Sequence, residues 1–151
     1  MVMAARRMSV NLDDIAEAMS RADRGEVDYF LDTRAGRVMR VPLEEADGFG
    51  DGYARIPEMD AHETYRIMED FIDTVRDGEL RDALEEAIAG HGAFREFAAV
   101  LQQYPEQYER WRQFEADRKR GWAREFLKEL GIVSTWRPPE RSAGHAGQAR
   151  R

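Results

Sequence analysis

Apolar residues recur at intervals of three and four positions between about residues 61 and 131, which predicts a run of amphipathic helices. Asp60 is followed three positions later by Glu63, a pairing typical of a helix N-terminus, so the first of these helices is expected to begin there. Gly78, Gly90 and Gly92 then divide the run into separate helices.

The N-terminal part follows two other patterns. Asn11 precedes a narrow apolar stripe with helical spacing, which predicts a first helix capped by that side chain. Alternating residues rich in β-branched and aromatic types then extend over Val27–Val41 and are interrupted near Gly36, which predicts a β-hairpin with a glycine in its turn. Tyr53–Ile56 is expected to form a short third strand beside the hairpin.

Together these patterns predict an α+β fold that is mainly helical, with a small antiparallel sheet of about three strands covered by about five helices. Residues 9–133 are expected to form a single domain, preceded by a disordered leader (1–8) and followed by a disordered tail (134–151). The tail contains Pro138-Pro139 and, beyond Arg137, no apolar residue larger than alanine.

Composition narrows the classes of function. The chain has 151 residues, no cysteine and a formal net charge of −7. The lack of cysteine excludes disulfides and thiolate chemistry and suits a reducing compartment, and without a signal-peptide or membrane-spanning pattern the expected location is the cytoplasm. The acidic balance disfavours nucleic acid as a partner without excluding it, because binding to phosphates needs lysine and arginine.

One candidate ligand site stands out among the polar residues. His91 lies between two glycines at the predicted start of a helix and Arg95 follows one turn later, so His91, the free backbone N–H groups and the Arg95 cation could together hold an anion such as a phosphate or carboxylate. Arg55, His62 and Tyr65 would add polar groups to this anion site if they faced the same cleft. The alternative interpretation is structural, with the glycines forming a helix cap and a turn.

No metal site or cofactor is predicted. His62-Glu63 begins the pattern of a zinc protease, but Arg66 occupies the position of the second histidine and cannot bind a cation. The acidic loop 44–52 lacks the spacing of a calcium-binding loop. Asp28 and Asp32, four residues apart on a predicted strand, are expected to face solvent.

The last predicted helix, Pro105 to Leu130, is either continuous or kinked near Gly121. It carries two aromatic groups that would anchor a partner: Tyr104, Tyr108, Trp111 and Phe114 in the first, Trp122 and Phe126 in the second. On this hypothesis Trp111→Ala weakens association and leaves helicity largely intact. Arg118-Lys119-Arg120 lies between the two groups; interleaved carboxylates favour ion pairing there over nucleic-acid binding.

The segment from Gly90 to Leu101 reads Gly-His-Gly-Ala-Phe-Arg-Glu-Phe-Ala-Ala-Val-Leu and resembles the signature of a bacterial family known only as an uncharacterised protein family. The resemblance extends over roughly residues 10–133. It implies a small bacterial cytoplasmic protein and brings no activity, cofactor or catalytic residue.

Two functional hypotheses follow from the sequence. The first is a non-enzymatic interaction or regulatory module that docks a protein partner, or a second copy of itself, through the aromatic-rich helical face. The alternative is binding or turnover of an anionic or phosphorylated small molecule, or of nucleic acid, at the His/Arg site.

Overall fold

The computed structural model describes residues 4–139 and confirms a mainly helical α+β fold. Its five α-helices are α1 (Leu12–Ser20), α2 (Ala61–Ile72), α3 (Gly78–Ala89), α4 (Ala93–Leu101) and α5 (Pro105–Glu129). Its strands are β1 (Arg6–Met8), β2 (Val27–Asp32), β3 (Arg37–Pro42), β4 (Tyr53–Arg55) and β5 (Ile132–Ser134). Two short 3-10 helices, Ala22–Gly25 and Leu43–Gly48, connect the first elements.

The predicted hairpin and third strand form an antiparallel sheet in the order β3-β2-β4. Gly36 has a φ of 76°, as expected for the glycine of the hairpin turn. Asp32 begins this turn, and its carboxylate accepts hydrogen bonds from the backbone N–H groups of Arg34 and Ala35 at 2.9 and 3.0 Å. The same side chain that ends β2 therefore also shapes the turn.

The predicted leader is wrong for residues 6–8, because they form β1 and pair in parallel with β5. Arg6 lies opposite Ile132, and Met8 packs against the core. The predicted tail likewise begins too early, since Ser134 belongs to β5 and Trp136 packs against the core. Pairing between segments so far apart leaves no local signal in the sequence. Residues 140–151 of the predicted tail lie outside the described residues.

Side-chain caps fix the starts of three helices. The Asn11 side chain accepts from the backbone N–H groups of Asp13 and Asp14, Asp60 accepts from His62, and Asp77 caps α3. The α5 helix is continuous through Gly121, which answers the question left open by the sequence. At 1.5 Å per residue its 25 residues extend over about 37 Å.

Two hydrophobic clusters share α5. The sheet cluster lies between the sheet, α1 and the second half of α5, and the helical cluster lies among α2, α3, α4 and the first half of α5. The sheet cluster consists of Val10, Leu12, Ile15, Ala18, Met19, Val27, Tyr29, Leu31, Ile56, Ala123, Leu127 and Ile132. The helical cluster consists of Ile67, Met68, Phe71, Ile72, Val75, Leu80, Leu84, Phe97, Leu101 and Trp111.

Candidate functional site

The first aromatic group of α5 lies mostly inside the helical cluster. Trp111 is only 8% exposed, and its ring lies 5.3 Å from that of Phe71 and 4.8 Å from that of Phe97 in edge-to-face contacts. Phe114 also contacts Phe71, with 5.4 Å between ring centroids. Trp111 is therefore a core residue, and the expectation that it forms an exposed interface anchor is corrected. Tyr104 and Tyr108 pack against the same cluster and are half-buried.

The second aromatic group is half-buried and also faces inward. Phe126 packs against the sheet cluster, and Trp122 packs against both clusters. Trp122 thus lies where the two clusters meet, and the aromatic residues of α5 chiefly join them. Apart from Trp111, whose predicted role is corrected above, their role in binding a partner stays a prediction, because all of them are at least half-buried.

The basic middle of α5 is occupied by ion pairs. Arg118 donates to Asp70 of α2 at 2.6 Å, and Arg120 donates to both carboxylate oxygens of Asp13 of α1 at 2.7 and 3.1 Å. Lys119 pairs with Glu115, one turn earlier on α5, at 3.1 Å. These contacts support the ion-paired interpretation of the segment, because each cation already has a carboxylate partner.

The residues of the predicted anion site are brought together only in part. Arg95 folds back over Gly92, with its Nη2 3.2 Å from the position that a Cβ would take there. The Tyr65 hydroxyl donates to the carbonyl of Ile88 in the last turn of α3 at 2.7 Å, close to this turn.

The other three members of the anion site do not complete it. Arg55 lies in the sheet and pairs with Asp28 at 3.0 Å, while His62 and His91 are exposed. None of the five residues predicted to form the anion site lines the two cavities that open beside the C-terminal end of α1. The anion site stays a prediction, because the structure brings only Arg95 and Tyr65 near the same turn.

The predictions for the acidic loop 44–52 and for Asp28 and Asp32 have different outcomes. Part of the acidic loop forms the 3-10 helix Leu43–Gly48. Asp28, expected to face solvent, is instead buried at 8% exposure, while Asp32 is half-buried in the hairpin turn. Within residues 4–139, no group of three or more histidine, aspartate or glutamate side chains is placed to hold a metal ion.

Asp28 belongs to a buried charge network that the sequence did not reveal. The Arg24 guanidinium is buried and donates to the carbonyls of Ala18 at 2.9 Å and Ile56 at 2.6 Å. It also approaches the Asp28 carboxylate at 3.4 Å, and that carboxylate accepts from Arg55 as well. Because the network joins the end of α1, β2 and the segment after β4, its role is structural.

A crevice lies where the two clusters adjoin on the surface, and the exposed Phe94 in its lining makes it a candidate for a binding site. Its inner cavity, about 280 Å³, opens between the end of α1, the segment before α2 and the start of α4. An outer cavity of about 350 Å³ continues between α1 and α5, and Ser20 and Lys119 line both. The inner cavity is lined by Met19, Ser20, Glu58, Met59, Ala61, Thr64, Phe94 and Lys119. The outer cavity is lined by Asp13, Ala16, Glu17, Ser20, Arg112, Glu115, Ala116 and Lys119.

Phe94 is the exposed aromatic residue of this crevice, with 49% of its surface accessible. Its position depends on Gly92, which adopts a φ of 69° immediately before α4. Only glycine adopts this left-handed conformation without strain, so Gly92 directs the chain into α4 and sets Phe94 in the first turn. Met19 and Met59 line the same cavity, and a backbone hydrogen bond of 2.9 Å from the Met59 N–H to the Met19 carbonyl holds them together.

The α1 wall of the crevice carries two carboxylates. Asp13 and Glu17 line the outer cavity and pair with Arg120 at 2.7 Å and with Arg21 at 3.4 Å, whereas Asp14 lies outside the lining of both cavities. Burial raises the pKa of the Asp14 carboxyl above its ordinary value, and the nearby charges of Glu17 and Asp13 raise it further. Glu58 adds a carboxylate to the inner cavity and is exposed. The crevice therefore combines apolar side chains such as Met59 and Phe94 with charged groups of both signs.

These features define a small, mainly helical α+β protein with a surface crevice between two hydrophobic clusters. The chain belongs to the uncharacterised protein family UPF0158, whose family model matches residues 5–137. This match includes β1 and therefore extends beyond the 10–133 range of the resemblance noted in the sequence.

Bacterial relatives support this membership. The UPF0158 protein of Pseudomonas aeruginosa is 25% identical over 135 residues, which cover 84% of this chain and 86% of that protein. UPF0158 proteins of Chlamydia trachomatis and Chlamydia muridarum are each 25% identical over 118 residues, or 70% of this chain. The alignment covers only 36% and 35% of those two longer proteins. No solved structure matches the chain.

Within the part of the chain that the structure describes, every helix is too short or too polar to cross a membrane.

Proposed function

We propose that this protein is a non-enzymatic interaction module that docks a protein partner in the crevice between its two clusters. The observation that carries the proposal is Phe94, a half-exposed aromatic side chain beside an apolar floor that includes Met59. Aromatic residues at the centre of a patch are frequent energetic anchors of interfaces, and methionine adapts its shape to a partner.

The surroundings of Phe94 suit an interface. Ser20, Glu58, Thr64 and Lys119 place polar groups around the apolar floor, the arrangement of a core with a polar rim that protein interfaces use. The surface proposed here differs from the aromatic face of α5 predicted from the sequence, because those rings mostly pack inside the protein. We further propose a cytoplasmic location in a bacterium, which suits a chain without cysteine.

The experiment is a selection of displayed peptides against the protein, followed by affinity measurements on Phe94→Ala. Phe94 is exposed, so its removal leaves the core intact. We expect the selected peptides to lose affinity by about 30-fold, corresponding to the 2 kcal/mol typical of an anchor residue.

Leu130→Ala is the matched control, since Leu130 is also an exposed apolar residue and does not line the crevice. This variant should bind as the wild-type protein does. If the selection enriches no peptide, or if Phe94→Ala binds every enriched peptide unchanged, the proposed docking function is refuted.

A further inference from the structure

We infer that the occupant of the crevice is a second copy of this chain, bound about a two-fold axis that sets each crevice against the other. This inference rests on the proposed docking function and names its partner. A two-fold interface is self-complementary, because every contact from one residue to another occurs twice with the roles exchanged. The two ends of such a crevice must therefore complement each other.

The two cavities give the crevice two different ends. Ser20 and Lys119 line both cavities and therefore mark the middle of the crevice. Phe94 and Glu58 line only the inner of the two cavities, and Arg112 lines only the outer one. A two-fold axis through the middle exchanges the ends, so that the inner cavity of one copy meets the outer cavity of the other. Each Glu58 then faces Arg112 of the second copy.

The charges left free at the two ends have opposite signs. Glu58 and Arg112 are exposed, and the described residues provide neither of them with an ion-pair partner. The other charged groups of the lining pair within the chain: Asp13 with Arg120, Glu17 with Arg21 and Glu115 with Lys119. The one free carboxylate and the one free cation in the described lining thus complement each other across a two-fold axis, and this pairing occurs twice.

The inner cavity suits an arginine side chain. Phe94 is exposed and lines this cavity together with Glu58. A guanidinium can lie against an aromatic ring while it donates hydrogen bonds to a carboxylate. Arg112 of the second copy would use Phe94 and Glu58 in this way.

The chain contains an example of the same arrangement within one copy. The Arg118 guanidinium lies 5.5 Å from the centroid of the Phe114 ring and donates to the Asp70 carboxylate at 2.6 Å. An arginine of α5 is therefore able to contact an aromatic ring and a carboxylate together.

The α5 helix gives the outer end a suitable surface. Arg112 lies seven residues before Lys119, which is two helical turns and about 10 Å, so both residues lie on the same face. Ala116 lies between them in the lining, and its small side chain leaves space for Phe94 of the second copy. Near the axis, Glu115 at 3.1 Å balances the charge of Lys119, so the two lysines can approach each other.

Sedimentation equilibrium of the full chain measures the association from micromolar to near-millimolar concentration. The net charge of −7 on each copy opposes dimerisation, so physiological salt is used, where charges are screened beyond about 8 Å. We expect a reversible equilibrium between monomer and dimer. Phe94→Ala, Glu58→Arg and Arg112→Glu should each weaken it by about tenfold or more, because two-fold symmetry counts each lost contact twice.

Exchange of the two charges separates this interface from any other. In the two-fold dimer, Glu58→Arg sets two cations opposite each other and Arg112→Glu sets two anions opposite each other. A mixture of these two variants has opposite charges at both positions and should associate as a heterodimer, and the double variant should again form a homodimer. Neither reversal removes an ion pair of the described chain, and circular dichroism checks that both variants fold.

Glu129→Arg and Arg124→Glu are the matched controls. They make the same changes of charge at exposed residues of α5 that line neither cavity of the crevice. Both should leave the equilibrium of the wild-type chain unchanged.

Three results would overturn the inference. A wild-type chain that stays monomeric at near-millimolar concentration, while the selected peptides still depend on Phe94, would exclude the second copy and leave the docking function standing. A dimer that neither the mixture nor the double variant restores would use another surface. A monomeric chain for which the selection enriches no peptide would refute the docking function and the inference together.

Discussion

Asp28→Asn tests whether the buried charge network holds the sheet to α1. The substitution keeps the shape of the side chain and removes its charge. It leaves the Arg24 guanidinium, whose side chain is 3% exposed, without its nearest buried counterion. Arg55, the other partner of Asp28, is 56% exposed and gains water readily.

The expected magnitude follows from this difference in burial. Removing one member of a buried ion pair costs about 3–5 kcal/mol, because the remaining charge stays in the interior. We expect the lower end, about 3 kcal/mol, since the carbonyls of Ala18 and Ile56 still accept hydrogen bonds from Arg24. Arg55→Met, which breaks the exposed half of the network, should cost less than about 1 kcal/mol.

Urea unfolding followed by circular dichroism measures both free energies, and thermal unfolding gives a second reading. For a protein of this size a loss of 3 kcal/mol lowers the Tm by about 6–12 °C. The cycle of Arg24→Met, Asp28→Asn and the double variant should give a coupling of about 1–3 kcal/mol. If Asp28→Asn costs no more than Arg55→Met, the reasoning about burial is wrong.

Three further predictions concern other parts of the fold. Trp111→Ala should cost about 3–5 kcal/mol in urea unfolding, as for a large aromatic residue removed from a core; a stable variant with weakened association would restore the interface hypothesis. Asp32→Ala should lower stability at pH 7, because hydrogen bonds from the N–H groups of Ala35 and Arg34 hold the Asp32 pKa below its ordinary value. This deficit should vanish in unfolding measured as pH falls through the lowered pKa, where the wild-type carboxylate also becomes protonated; a deficit independent of pH would exclude this cause. Asp13→Arg should destabilise the protein in urea unfolding, because the new cation repels Arg120. Adding Arg120→Asp restores a pair of opposite charges and should recover part of the lost stability. If the double variant recovers none of it, the pair does not couple α1 to α5.

The elements that the sequence predicted are those specified locally. The Asn11 and Asp60 side chains cap the helices that follow them, and Gly36 makes the hairpin turn, because each acts on its immediate neighbours. The pairing of β1 with β5 was missed, since it joins residue 6 to residue 132 and depends on the whole fold. The residues next to Met8 in the sequence do not indicate that its side chain packs against the core.

The errors at the candidate site have a related cause. Asp28 and Asp32 look alike in sequence, yet Arg24 from another element buries one of them while the other stays in a turn. Trp111 was predicted to be an exposed interface anchor, because the last helix carries more large aromatic residues than a domain of this size was expected to bury. The rings of Phe71 and Phe97, on α2 and α4, take up that apolar area. Contacts with elements that are distant in the sequence therefore determine which of these side chains are buried and which remain exposed for binding.

The position of the crevice follows from the contacts of the long helix α5. Its partner changes within two residues: Arg118 pairs with Asp70 of α2, and Arg120 pairs with Asp13 of α1. The aromatic residues of α5 before Arg118 pack against the helical cluster, and Phe126 after Arg120 packs against the sheet cluster. The two clusters therefore adjoin along a polar seam of α5, residues 118–120. Lys119 lies in that seam and lines both cavities of the crevice. A partner that docks beside Phe94 would contact both clusters at once, and its affinity would then depend on the ion pairs that hold α1 and α2 to α5.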